Sequence, residues 1–161
     1  MAGAGWLLAR ADRPAEGVAA AIYLAGLAAM FGSSALYHWV GGREGSWWQR
    51  ADHLAIYAMI AGTYTPVCLL ALRPETGRPL LALQWGLVAT GVAINLALRG
   101  GPHWVRLVIY VLQGWACAPV IGELRAALTP SAFAALVAGG LAYTGGIVFF
   151  ATDRRVWPGR R

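Results

Sequence analysis

Five apolar runs, each close to twenty residues long, take up nearly all of the chain. A helix rises about 1.5 Å per residue, so about 20 apolar residues cross the hydrocarbon core of a bilayer. The runs are 18–40, 52–72, 79–98, 104–122 and 131–151. Only 12% of the 161 residues are charged and 58% are apolar, which excludes an ordinary soluble domain, where about a quarter are charged. The expected fold is all-α and integral to a membrane, a single transmembrane helical domain over 1–161 with five spans and no room for a soluble unit.

Glycine and proline mark the helix ends: Gly41-Gly42, Pro74 with Gly77, Gly100-Gly101-Pro102, and Pro130 after Thr129. The loops are short, so neighbouring spans pack antiparallel. Met1 to Gly17 lacks the basic start and long apolar core of a signal peptide; its apolar patch, Gly5 to Ala9, ends in charges like the exit from a span.

The net charge of +6 comes from arginines scattered through loops and ends, a pattern of membrane topology rather than of nucleic-acid binding. Arg43, Arg50, Arg99, Arg106, Arg154, Arg155, Arg160 and Arg161 fall on one side, and Arg10, Arg13, Arg73, Arg78 and Arg125 on the other. The positive-inside rule then places the C-terminus in the cytoplasm, with His38, Asp52, His53 and His103 near that face. The expected partners are membrane lipids, in the plasma membrane. Cys68 and Cys117 lie inside spans without metal-binding or redox spacing and read as small buried residues.

Ionisable groups inside spans are costly and mark function by default. Ser34 and His38 are four apart, so a helix puts hydroxyl and imidazole on one face. Fourteen residues after His38, Asp52 opens the second run at the same membrane edge, and Ile56, Met59 and Thr63 continue its face. Imidazole is a common zinc ligand, and a carboxylate can hold a water and take its proton. The structural alternative makes His38 and Asp52 interfacial residues, with Asp52 an N-terminal helix cap. His53 points about 100° away from Asp52 on a helix, and His103 sits in a glycine-proline loop; neither is a strong ligand candidate. Pro66, within Ala61-Gly-Thr-Tyr-Thr-Pro66, predicts a kink or a pocket wall.

Ser34-Ala-Leu-Tyr-His38, Asp52-His-Leu-Ala-Ile56 and Ala61-Gly-Thr-Tyr-Thr-Pro66, and more weakly Tyr110 to Trp115 and Leu141 to Phe150, resemble the hemolysin III family, relatives of the progestin and adipoQ receptors. Those proteins are seven-helix membrane proteins grouped with alkaline ceramidases as zinc-dependent lipid amide hydrolases. The resemblance implies that His38 is a metal ligand, that Ser34 and Asp52 are the catalytic residues around a zinc-bound water, and that zinc is the cofactor. It also implies that the five spans are helices two to six of seven. The family's remaining two ligands lie on an HxxxH of the last helix, and this sequence has none. The chain alone is therefore expected to be inactive, as a truncated or incompletely read protein. The alternatives are a non-catalytic membrane protein, as a scaffold or pore-forming cytolysin, or a receptor. Gln84, Asn95 and Gln113 are too few to line an aqueous channel.

Overall fold

The computed structural model describes residues 14–41, 46–98 and 102–156, with backbone only at 103 and 150–156. The apolar patch at Gly5 to Ala9, the Gly100-Gly101 pair, Arg43, Arg99, Arg160 and Arg161 lie outside the described residues, as do the side chains of His103, Arg154 and Arg155. The described residues form helices without strands, and five helical stretches are long and apolar enough to span a membrane.

Helix α1 covers Pro14–Trp39, and Gly41, with φ of 90°, takes the left-handed turn after its end while its N–H reaches the His38 carbonyl. Helix α2 covers Trp47–Pro66. Its cap is Ser46, whose side chain accepts the Gln49 N–H at 3.2 Å, so Asp52 stands more than a turn inside the helix rather than capping it. Pro66 has no N–H to give the ladder, and the chain continues as a π-helical turn over Val67–Ala71.

Helix α3, Pro74–Ala97, begins with proline at its first turn, where the missing donor costs nothing. The fourth span is broken: helix α4 covers His103–Trp115, a 3-10 turn covers Ala118–Val120, and helix α5 covers Ile121–Ala127. Pro119 explains the break, and Tyr64 repairs it from α2. The Tyr64 hydroxyl donates to the Gly114 carbonyl at 3.0 Å and accepts the Cys117 N–H at 3.2 Å. Backbone groups freed inside a bilayer must find such partners. Helix α6, Pro130–Val156, starts where Thr129 accepts the Ala132 N–H at 3.3 Å.

Helix α2 is the hub, packed against α1, α3 and α4, whereas α6 reaches the bundle through α4 and α5. The buried stripe of α3 is Gly77, Leu80, Gln84, Gly91 and Asn95. Apart from Leu80 the stripe is small and amide residues, because lipid tails are as apolar as leucine, so close backbone approach and interhelical hydrogen bonds hold the helices. A Cβ on Gly77 would run into the Cys68 carbonyl oxygen, and one on Gly91 would sit 2.6 Å from Tyr57 Cε2. Gln84 Nε2 donates to the Gln113 carbonyl at 2.9 Å, and Gln113 Nε2 donates to the Tyr57 carbonyl at 3.3 Å. Cys68 is buried beside Leu72, Leu80 and Leu124; Cys117, half-buried, packs on the same cluster, and both thiols are free.

Candidate functional site at the α1–α2 edge

Two glycines mark the register of α1 on α2. A Cβ on Gly26 would meet the Met59 Cα at 3.3 Å, and one on Gly62 would meet the Ile22 carbonyl oxygen at 3.4 Å. Both glycines lie where the two backbones approach closely, Gly26 tightly and Gly62 at van der Waals contact, as small residues do at packed membrane-helix seams. Two helical turns from the Gly26–Met59 contact, the same antiparallel register brings Ser33 level with Asp52, and Ser34 with Ala51. His38 lies about one further turn toward the membrane edge, level with Ser46 and Trp47.

The hydroxyl of Ser34 and the carboxylate of Asp52 therefore share a depth, both half-buried, and His38 stands above them, exposed. Because Met59 faces α1 and Asp52 lies two turns before it, Asp52 belongs to the stripe of α2 turned toward α1. The His38 ring tilts against Tyr37, with centroids 5.2 Å apart and an interplanar angle of 57°. Ser33 donates to the Met30 carbonyl at 3.2 Å. Farther along the stripe, exposed Thr63 donates back to the Ile60 carbonyl at 2.6 Å, so its hydroxyl serves its own helix.

Asp52 also has a neighbour the sequence did not disclose. The Tyr110 hydroxyl, from α4, donates to the carbonyl of His53, the residue after Asp52, at 3.2 Å. Tyr110 is in turn packed against Tyr57, with ring centroids 5.0 Å apart, and its carbonyl accepts from the Tyr143 hydroxyl at 2.7 Å. Tyrosine spacing in an apolar run carries no periodic signal that would single out this junction.

The donor set can be tested against zinc. A catalytic zinc site takes three protein ligands. Among the described residues no three His, Cys, Asp or Glu side chains converge as a metal-binding group. Ser34, His38 and Asp52 supply one imidazole and one carboxylate, and by themselves they do not fit the metal. Pro66 and its neighbours form packing rather than a pocket: Thr65 donates to the Ala61 carbonyl at 2.9 Å and accepts the Trp85 indole N–H at 3.3 Å.

The chain is 37% identical over 103 residues to Hemolysin-3 of Bacillus cereus, which covers 64% of this chain and 47% of that protein. It is 33% identical over 99 residues to the Hemolysin-3 homolog of Bacillus subtilis (strain 168), covering 62% of this chain and 46% of that protein. The matches thus span about half the length of these curated relatives. No solved structure matches the chain. The family model described as "Haemolysin-III related" matches residues 4–161, and with five membrane-crossing helices beneath that match, the chain belongs to the haemolysin-III-related family of integral membrane proteins.

Proposed function

We propose that the chain is a plasma-membrane protein with a cytoplasmic C-terminus, and that Ser34, His38 and Asp52 form one wall of a zinc-dependent lipid amide hydrolase site. The observation that carries this reading is the register of α1 on α2, which sets a hydroxyl and a carboxylate at one depth with an imidazole one turn above. In this reading the remaining metal ligands come from elsewhere than this wall, since among the described residues no three metal donors converge there. Ser34 and Asp52 would orient a water, and Asp52 would accept its proton. Membrane lipids are the substrate class, reached from the bilayer.

Translation of the genomic sequence on both sides of the reading frame tests this. An HxxxH in an apolar helix downstream supports it, and an intact downstream frame without that motif refutes it.

A second reading, a non-catalytic membrane protein, is favoured by the lack of three converging metal donors among the described residues. The word hemolysin in the relatives' names raises cytolysis as one form of it. Gln84 and Gln113 weigh against a pore, since both are fully buried and their amide nitrogens bind neighbouring helices. Dye release from liposomes at low protein density, equal for the unaltered chain and a His38→Ala, Asp52→Ala variant, would favour the second reading. Hydrolysis of a fluorescent lipid amide by the protein translated from the complete locus, lost on the same two substitutions, would favour the first.

A further inference from the structure

Helix α4 grips α2 by its backbone. The Tyr110 hydroxyl donates to the His53 carbonyl at 3.2 Å, and Gln113 Nε2 donates to the Tyr57 carbonyl at 3.3 Å. Residues 53 and 57 are about one turn apart on α2, as are 110 and 113 on α4, so the two bonds are successive rungs between one strip of each helix.

Neither rung is needed to satisfy α2. Both carbonyls lie inside the helix, where each has a partner in the next turn, and a carbonyl oxygen has a second lone pair to offer. On the α4 side the donors are kept at a cost, since Gln113 is fully buried and its Oε1 has no partner. Leucine at 113 would fill that space without the cost, so the amide is there for what its nitrogen holds. The α1 seam is of another kind: Gly26 against Met59 and Gly62 against the Ile22 carbonyl are contacts without direction. Such contacts set the spacing of two helices but resist rotation weakly. Two directional bonds at different heights resist both rotation about the α2 axis and sliding along it.

That rotation aims Asp52. On α2 it lies about 20° from the line of Met59, which faces α1, and about 100° round the helix from His53. The first rung thus attaches to the peptide group directly after Asp52, to one side of the α1 seam. Helix α6 braces the grip from behind: the Tyr143 hydroxyl donates to the Tyr110 carbonyl at 2.7 Å, and its ring fills the notch left by Gly114. We propose that Tyr110 and Gln113 are positioning residues, which together lock the rotation of the Asp52 turn so that the carboxylate stays on the α1 side at the depth of Ser34. The consequence for catalysis rests on the hydrolase reading; the geometry does not.

The test is disulfide formation in liposomes, in the full chain lacking Cys68 and Cys117. Asp52→Cys is combined with Ser33→Cys, which the register sets opposite it, or with Ser34→Cys, which points about 100° away. Oxidation with copper phenanthroline should favour the Ser33→Cys pair by about tenfold, because disulfide geometry is demanding. Tyr110→Phe and Gln113→Leu should each cut that preference about threefold, the scale of one neutral hydrogen bond, and together they should abolish it. Tyr143→Phe, which removes a hydroxyl that does not touch α2, should leave it intact. A role in stability alone would slow both pairs alike, and that result would overturn the proposal. So would an unchanged preference in the double variant, or no preference in the parent. In the protein translated from the complete locus, Tyr110→Phe should lower kcat for a lipid amide about threefold to tenfold with KM held. If the unaltered complete protein hydrolyses nothing, the hydrolase reading fails, while the cross-link preference still decides the lock.

Discussion

Tyr64→Phe removes one oxygen and nothing else, so its effect reads the cost of the break in the fourth span. In the structure that oxygen serves two backbone groups, the Gly114 carbonyl at 3.0 Å and the Cys117 N–H at 3.2 Å. The ring stays in place against the Cys68–Leu124 cluster, so no cavity opens. An unsatisfied buried polar group costs about 1–3 kcal/mol, and both groups here are part-buried, which puts the expected loss at about 2–3 kcal/mol. Tyr143→Phe is the control. Its hydroxyl bonds the Tyr110 carbonyl at 2.7 Å, but that carbonyl lies inside α4 and keeps its helical partner, so the cost should be about 1 kcal/mol. Reversible unfolding in mixed detergent micelles, followed by far-UV circular dichroism, gives both numbers. If Tyr64→Phe is no more destabilising than Tyr143→Phe, then Tyr64 does not repair the span, and the account of how α4 and α5 are held in the bilayer fails.

Gly91→Ala places a methyl group 2.6 Å from the buried Tyr57 ring and should destabilise by about 1–3 kcal/mol, whereas Gly86→Ala meets nothing within 4 Å and should be neutral or stabilising; the same unfolding assay decides, and equal effects would contradict the packing. Glu123 accepts the Arg73 backbone N–H at 2.6 Å and the Thr76 hydroxyl at 2.9 Å, while the Arg73 side chain is 74% exposed. Glu123→Ala should therefore lower the melting temperature more than Arg73→Ala does, since the side-chain ion pair is screened and the backbone contact is not. In a variant lacking Cys68 and Cys117, Glu75→Cys should react with a membrane-impermeant maleimide in intact cells and Val40→Cys only after lysis; the reverse order would invert the orientation read from the arginines.

The spans were legible because apolar length is a coarse property that packing does not alter, and that Ser34 and His38 fall on one helix face was legible because helical spacing is local. Asp52 was misplaced as an opening residue since the apolar run begins there, but Trp47 to Ala51 are also helical once Ser46 caps the turn. The fourth run read as one unbroken span because hydropathy does not register a proline break that a tyrosine from another helix repairs. Gln84, Asn95 and Gln113 were weighed as channel lining, since a sequence shows that an amide is present in a span but not which helix it faces. Hydrogen bonding separates them: Gln84 and Gln113 each bond another helix through Nε2, whereas among the described residues Asn95 bonds none. The bond from Tyr110 to the His53 carbonyl beside Asp52 depends on how α2 meets α4, a contact with no sequence period at all.

The most direct test of the proposed hydrolase wall is the zinc content of the protein translated from the complete locus, purified with and without His38→Ala. The account predicts about one zinc per chain in the unaltered protein and its loss on His38→Ala, with far-UV circular dichroism unchanged because His38 is exposed. Equal zinc in both proteins, or none in either, would contradict it.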